Sequence, residues 1–87
     1  MQEQDQAVTI LRGLTLQMAQ AVVNRPDRVR VEVLQGPSVI LLELSVDPDD
    51  TGRVIGKKGQ LANAMRMLLG ASAAKMGKRV NLEIIDT

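Results

Sequence analysis

The chain has no cysteine, no histidine and no aromatic residue. Without cysteine and histidine it has no disulfide, no thiolate nucleophile, no imidazole base and no zinc site of the usual kind. Most catalysis at neutral pH is thereby excluded, and no metal or other cofactor is expected. The missing aromatics remove the platforms on which many single-stranded nucleic-acid binders stack bases. Long hydrophobic runs are also absent. Val39-Ile40-Leu41-Leu42 falls far short of the roughly 20 apolar residues a membrane helix needs. The opening Met1-Gln2-Glu3-Gln4-Asp5 has neither a basic nor an apolar region of a signal peptide, so a cytoplasmic location is expected.

What remains is an ordinary folding composition, 45% hydrophobic and 24% charged over 87 residues. This predicts one domain over 1–87, with residues 1–5 frayed. A domain so small buries only about 60% of its unfolded surface, and its core must be built from aliphatic residues, Met and Ala.

Net charge is only +1, but its distribution is uneven. Arg53 to Arg79 holds Arg53, Lys57, Lys58, Arg66, Lys75, Lys78 and Arg79 with no acid, whereas the rest carries four basic and all ten acidic residues, a balance of −6. Such a segment lacks internal ion-pair partners, which favours an external anion over a merely solvated face.

Residues 7–23 carry Ala7, Ile10, Leu11, Leu14, Met18, Ala21 and Val22 at helical spacing. Asn24-Arg25-Pro26-Asp27 ends that helix. Val29, Val31 and Val33 then alternate with polar residues, as do Ile40, Leu42, Leu44 and Val46 beyond the turn Gln35-Gly36-Pro37-Ser38, predicting an antiparallel hairpin. Asp47 caps a short helix opened by Pro48 and ended by Gly56. A longer helix over 60–76 closes at Gly77, with Leu61, Met65, Leu68 and Ser72 expected toward the sheet. Val80, Leu82 and Ile84 form a third strand, returning parallel to the second after a helical crossover. The expected fold is α+β, in the order α-β-β-α-α-β, with a three-stranded mixed sheet and helices on one face.

The informative stretch is Arg53-Val54-Ile55-Gly56-Lys57-Lys58-Gly59-Gln60. Gly56 and Gly59 permit left-handed backbone angles and close approach of a bulky group. The following helix starts there, so its positive end meets an arriving anion beside Lys57 and Lys58. A phosphodiester backbone satisfies all these features. A nucleotide-phosphate loop does not, because Gly52 to Gly56 is one residue too short and Lys58 replaces the magnesium-binding hydroxyl. Asp47, Asp49 and Asp50 lack the remaining ligands of a calcium loop. A hydrolase with paired carboxylates would need a pocket that so thin a core hardly offers, so the chain is not expected to be an enzyme.

Val54-Ile55-Gly56-Lys57-Lys58-Gly59 within this element order resembles the KH domain in its type II arrangement. With Asp47-Pro48, Gly52-Arg53 and Gly77-Lys78-Arg79-Val80, the chain is similar to the small bacterial single-KH RNA-binding proteins of the KhpA family. Ala62 departs from the larger aliphatic that many KH domains carry there. The resemblance implies binding of single-stranded RNA, with single-stranded DNA a related ligand, about four nucleotides being held at the loop. It places Gly56, Lys57, Lys58 and Gly59 on phosphates, and Val54, Ile55 and Ala62 in an apolar groove. Gln60, Asn63 and Arg66 reach sugar or phosphate, and Arg79 and Asn81 form the opposite wall. The implied role is a non-catalytic RNA chaperone or post-transcriptional regulator of low sequence specificity.

Apolar residues beyond those needed for one helix face, Met67, Leu69, Ala73 and Met76 among them, mark an expected dimer surface for a second copy or a related KH protein. The alternative is a protein-interaction module whose partner supplies the nucleic-acid specificity.

Overall fold

The computed structural model describes residues 3–86, with side chains from Gln6 onward. Six elements follow in order: α1 (Glu3–Val22), β1 (Arg30–Gln35), β2 (Val39–Ser45), α2 (Thr51–Ile55), α3 (Gln60–Lys75) and β3 (Arg79–Ile84). The sheet order is β1-β2-β3, with β1 antiparallel and β3 parallel to β2. The architecture is α+β with a three-stranded mixed sheet, as expected.

The strand pattern follows from alternation. Ile40, Leu42 and Leu44 are buried at 0–1% exposure, while their neighbours on β2 are half-exposed. One sheet face is therefore covered, by α1 packed on β1 and α3 packed on β3, with the two helices also in contact. Gly36 N–H donates to Val39 O at 2.9 Å and closes the hairpin.

α1 starts at Glu3, four residues before the apolar pattern begins, because a polar first turn is invisible to hydrophobic periodicity. Met1 and Gln2, two of the five residues expected to fray, lie outside the described residues. Its buried row is Ala7, Leu11, Thr15 and Ala19, whereas the expected Ile10 is 49% exposed, and Ala21 is exposed too. Thr15 is tolerated inside because its hydroxyl donates to Leu11 O at 2.8 Å.

α3 is rotated from the expected face. It buries Ala62, Met65, Leu69 and Ala73, and leaves Leu68 50% exposed. The two alanines let the helix approach its neighbours closely, a gain that side-chain size does not signal. Gly77 takes φ +70, with Gly77 N–H on Ala74 O and Lys78 N–H on Ala73 O. This paired motif ends the helix and turns the chain into β3.

Candidate nucleic-acid interface

The short helix α2 is anchored through the residues that lead into it. Asp47 Oδ1 accepts the Asp49 N–H at 3.0 Å, the expected cap, and a 3-10 turn over Pro48–Asp50 precedes α2. Asp50 is 1% exposed. Its Oδ1 accepts from Asn24 N–H at 3.2 Å and its Oδ2 from Arg25 N–H at 3.1 Å. Arg53 Nε lies 3.6 Å from the same carboxylate, and Arg25 Nη1 lies 3.7 Å from Asp47. A buried carboxylate is stable only with such partners, and here they tie the end of α1 to the approach of the glycine loop.

The loop itself is Gly56-Lys57-Lys58-Gly59. Gly56 has φ +80 and ψ 171, Lys58 φ +56 and ψ 27, and Gly59 φ +75 and ψ 13. Lys58 is the sole non-glycine with positive φ among the described residues. Gly59 N–H donates to Gly56 O at 3.1 Å, which closes the bend. Both lysine side chains are exposed, and neither forms an ion pair among the described residues. No side chain caps the first turn of α3, so its positive end faces the loop.

Farther along α3, a cleft lies between that helix and the edge strand β3. Two adjoining depressions, of about 420 and 490 Å³, share Val80 and Asn81. The first is lined further by Arg66, Leu69, Leu82 and Glu83, the second by Gly70, Ala74, Lys78 and Arg79. Arg66 spans the first, its Nε donating to Leu82 O at 3.2 Å and its Nη1 to Asn63 Oδ1 at 3.3 Å.

Of the expected site residues, Arg66, Arg79 and Asn81 line these depressions, and Asn63 adjoins them through its hydrogen bond to Arg66. Gln60, Asn63 and Arg66 are exposed along α3, and Arg79 and Asn81 along β3. Ile55 is 36% exposed beside the loop. Two need correction. Val54 is fully buried in the core and Ala62 is 3% exposed, so neither presents its side chain to a groove. They fall on the inward sides of α2 and α3, which adjacency to the glycine motif could not reveal. The expected dimer surface is corrected likewise. Leu69 and Ala73 are 0% and 1% exposed, and Met76 packs partly on the core, leaving Met67 at 76% exposure. Sequence reading also missed Glu83, although strand alternation already sets it on the side of Arg79 and Asn81. Leu41 joins the same depression only through its register with Asn81, which no local signal carries.

The chain is also similar to known proteins. A family profile described as "KhpA/KhpB, KH domain" matches residues 12–84. The chain is 40% identical over 79 residues to "RNA-binding protein KhpA" of Aquifex aeolicus, covering 91% of this chain and all of that protein. It is 45% identical over 76 residues to the protein of that name in Halalkalibacterium halodurans, covering 87% and 100% respectively. For Caldanaerobacter subterraneus subsp. tengcongensis the identity is 48% over 68 residues, covering 78% and 91%. No helix among the described residues is long and apolar enough to cross a membrane. By the profile match over most of its length and by its identity to these relatives, the chain belongs to the KhpA/KhpB KH-domain family.

Proposed function

We propose that this chain is a non-catalytic binder of single-stranded RNA, acting in the cytoplasm as an RNA chaperone or post-transcriptional regulator. Phosphates rest on Gly56-Lys57-Lys58-Gly59, and bases lie along the α3–β3 cleft. The observation that carries this reading is the loop conformation. A lysine held at φ +56 between two positive-φ glycines is a strained arrangement, and it leaves both loop lysines exposed. The relatives' printed names, RNA-binding proteins, support the same ligand. An aliphatic cleft without aromatics favours broad sequence tolerance, and single-stranded DNA is the chemically nearest competitor.

The test is the double variant Lys57→Asp/Lys58→Asp, measured by anisotropy on short RNA at low salt. Its circular dichroism should match the parent while binding is abolished. A folded variant with parental affinity overturns the site.

A second reading, compatible with the first, is assembly with a second copy or a related KH protein. The exposure of Met67 at 76% and Leu68 at 50% on α3, with Ile10 at 49% on the adjoining α1, favours it. Sedimentation of Met67→Glu against the parent decides it: an unchanged association would exclude this face.

A further inference from the structure

The strand wall of the cleft carries an unpaired carboxylate. Glu83 lines the same depression as Arg66, Asn81 and Leu82, is exposed, and forms no ion pair among the described residues. Sheet register sets it beside Glu43, which pairs in turn with Glu32. Three like charges thus cross the sheet in one row, an arrangement that weakens a sheet. The helix wall is opposite in sign. Lys57 and Lys58 stand at its start, and Arg66 is held in place by Leu82 O and Asn63 Oδ1 before any ligand arrives.

Such a cleft orients a strand. Phosphates are drawn to Lys57, Lys58 and Arg66 and repelled by Glu83, which turns base edges toward that end of β3, while Lys78 and Arg79 line the adjoining depression. There the chemistry is selective. A carboxylate only accepts hydrogen bonds. Guanine alone among the four RNA bases offers N–H donors on two adjacent atoms of its Watson–Crick edge, N1 and N2. The next atom along, O6, accepts, and arginine is its common donor. Cytosine, adenine and uracil each offer one donor atom there.

Taking the RNA reading as given, we propose that Glu83 makes one position of this cleft guanine-selective, accepting from N1–H and N2–H while Arg66 donates to O6. The rest of the strand is held without regard to sequence. Glu83 is then a specificity residue, and its charge serves recognition at a small cost to the sheet.

The experiment measures anisotropy of labelled uridine pentanucleotides whose central base is guanine, inosine, adenine, cytosine or uracil. Inosine lacks only the N2 amino group. The parent should bind the guanine oligomer about tenfold more tightly than the inosine one, since a bidentate base contact typically discriminates by that order. Glu83→Gln should reduce this ratio to about one to two. Glu43→Gln makes the same charge change one strand away, outside the cleft lining, and should preserve the ratio. Equal binding of guanine and inosine by the parent overturns the proposal. So does a ratio that survives Glu83→Gln or that Glu43→Gln erases equally. The Lys57→Asp/Lys58→Asp variant separates the two levels. If it loses every oligomer while the parent shows no base preference, only the guanine assignment fails. If it binds all five as the parent does, the RNA site itself is wrong.

Discussion

Gly56 and Leu61 are packed so closely that a Cβ placed on Gly56 would lie 2.8 Å from the Cβ of Leu61 and 2.9 Å from its main-chain nitrogen. The contact sets how sharply α3 leaves the loop. Gly59 shares the positive φ but has open space around its missing Cβ. Gly59→Ala should therefore cost only the conformational penalty, about 1–2 kcal/mol, and Gly56→Ala clearly more. Urea unfolding of both variants checks the ranking, and the reverse order would contradict the packing.

Lys58 offers a way to separate stability from binding. Lys58→Gly removes the left-handed strain and should stabilise the domain by about 1 kcal/mol. It also removes one cation from the loop. RNA affinity should fall, and the slope of log affinity against log salt should flatten by about 0.7, the value for one single-strand phosphate contact. Thermal melts and a salt series read the two effects independently.

Asp50 holds the loop's approach in place. Asp50→Ala leaves the Asn24 and Arg25 N–H groups without their acceptors and strips Arg53 of its partner. A loss of about 2 kcal/mol is expected, roughly 10 °C in melting temperature for a domain of this size. Asp50→Asn keeps one acceptor oxygen and should fall between variant and parent. A melting temperature unchanged in Asp50→Ala would show that this network contributes nothing.

Two neighbouring positions on α3 should behave in opposite ways. Leu69 is fully buried and Met67 is 76% exposed. Leu69→Ala should cost about 3 kcal/mol, a large part of the stability available to so small a domain. Met67→Glu should leave the unfolding midpoint within about 0.5 kcal/mol of the parent. Denaturant titration at low protein concentration, where self-association does not contribute, makes the comparison.

Much of the fold was legible from local patterns. The alternation of Ile40, Leu42 and Leu44 marked a sheet face, Asp47-Pro48 marked a helix start, and Gly77 marked a helix end. Helical phase was harder. In α1 and α3 the buried rows run through Ala7, Ala19, Ala62 and Ala73. Small residues are chosen by how closely neighbours approach, while larger Ile10 and Leu68 draw the eye to faces that stay in water. The same phase error misplaced Leu69 and Ala73 at a surface, whereas Val54 and Ala62 were set in a groove by the family resemblance and are buried here by the packing of α2 and α3.

The sequence by itself determined that the chain lacks cysteine, histidine and aromatic side chains, that its positive charge is concentrated beside a glycine-framed bend, and that alternating and helical stretches follow one another in this order. Those properties depend on residue type and near spacing. Tertiary structure alone decided that Arg66 grips Leu82 O across the cleft, that Leu41 and Asn81 share one wall, and that Glu32, Glu43 and Glu83 fall into a single row. These depend on strand register and on how helix and sheet meet, which the packing of the whole core settles.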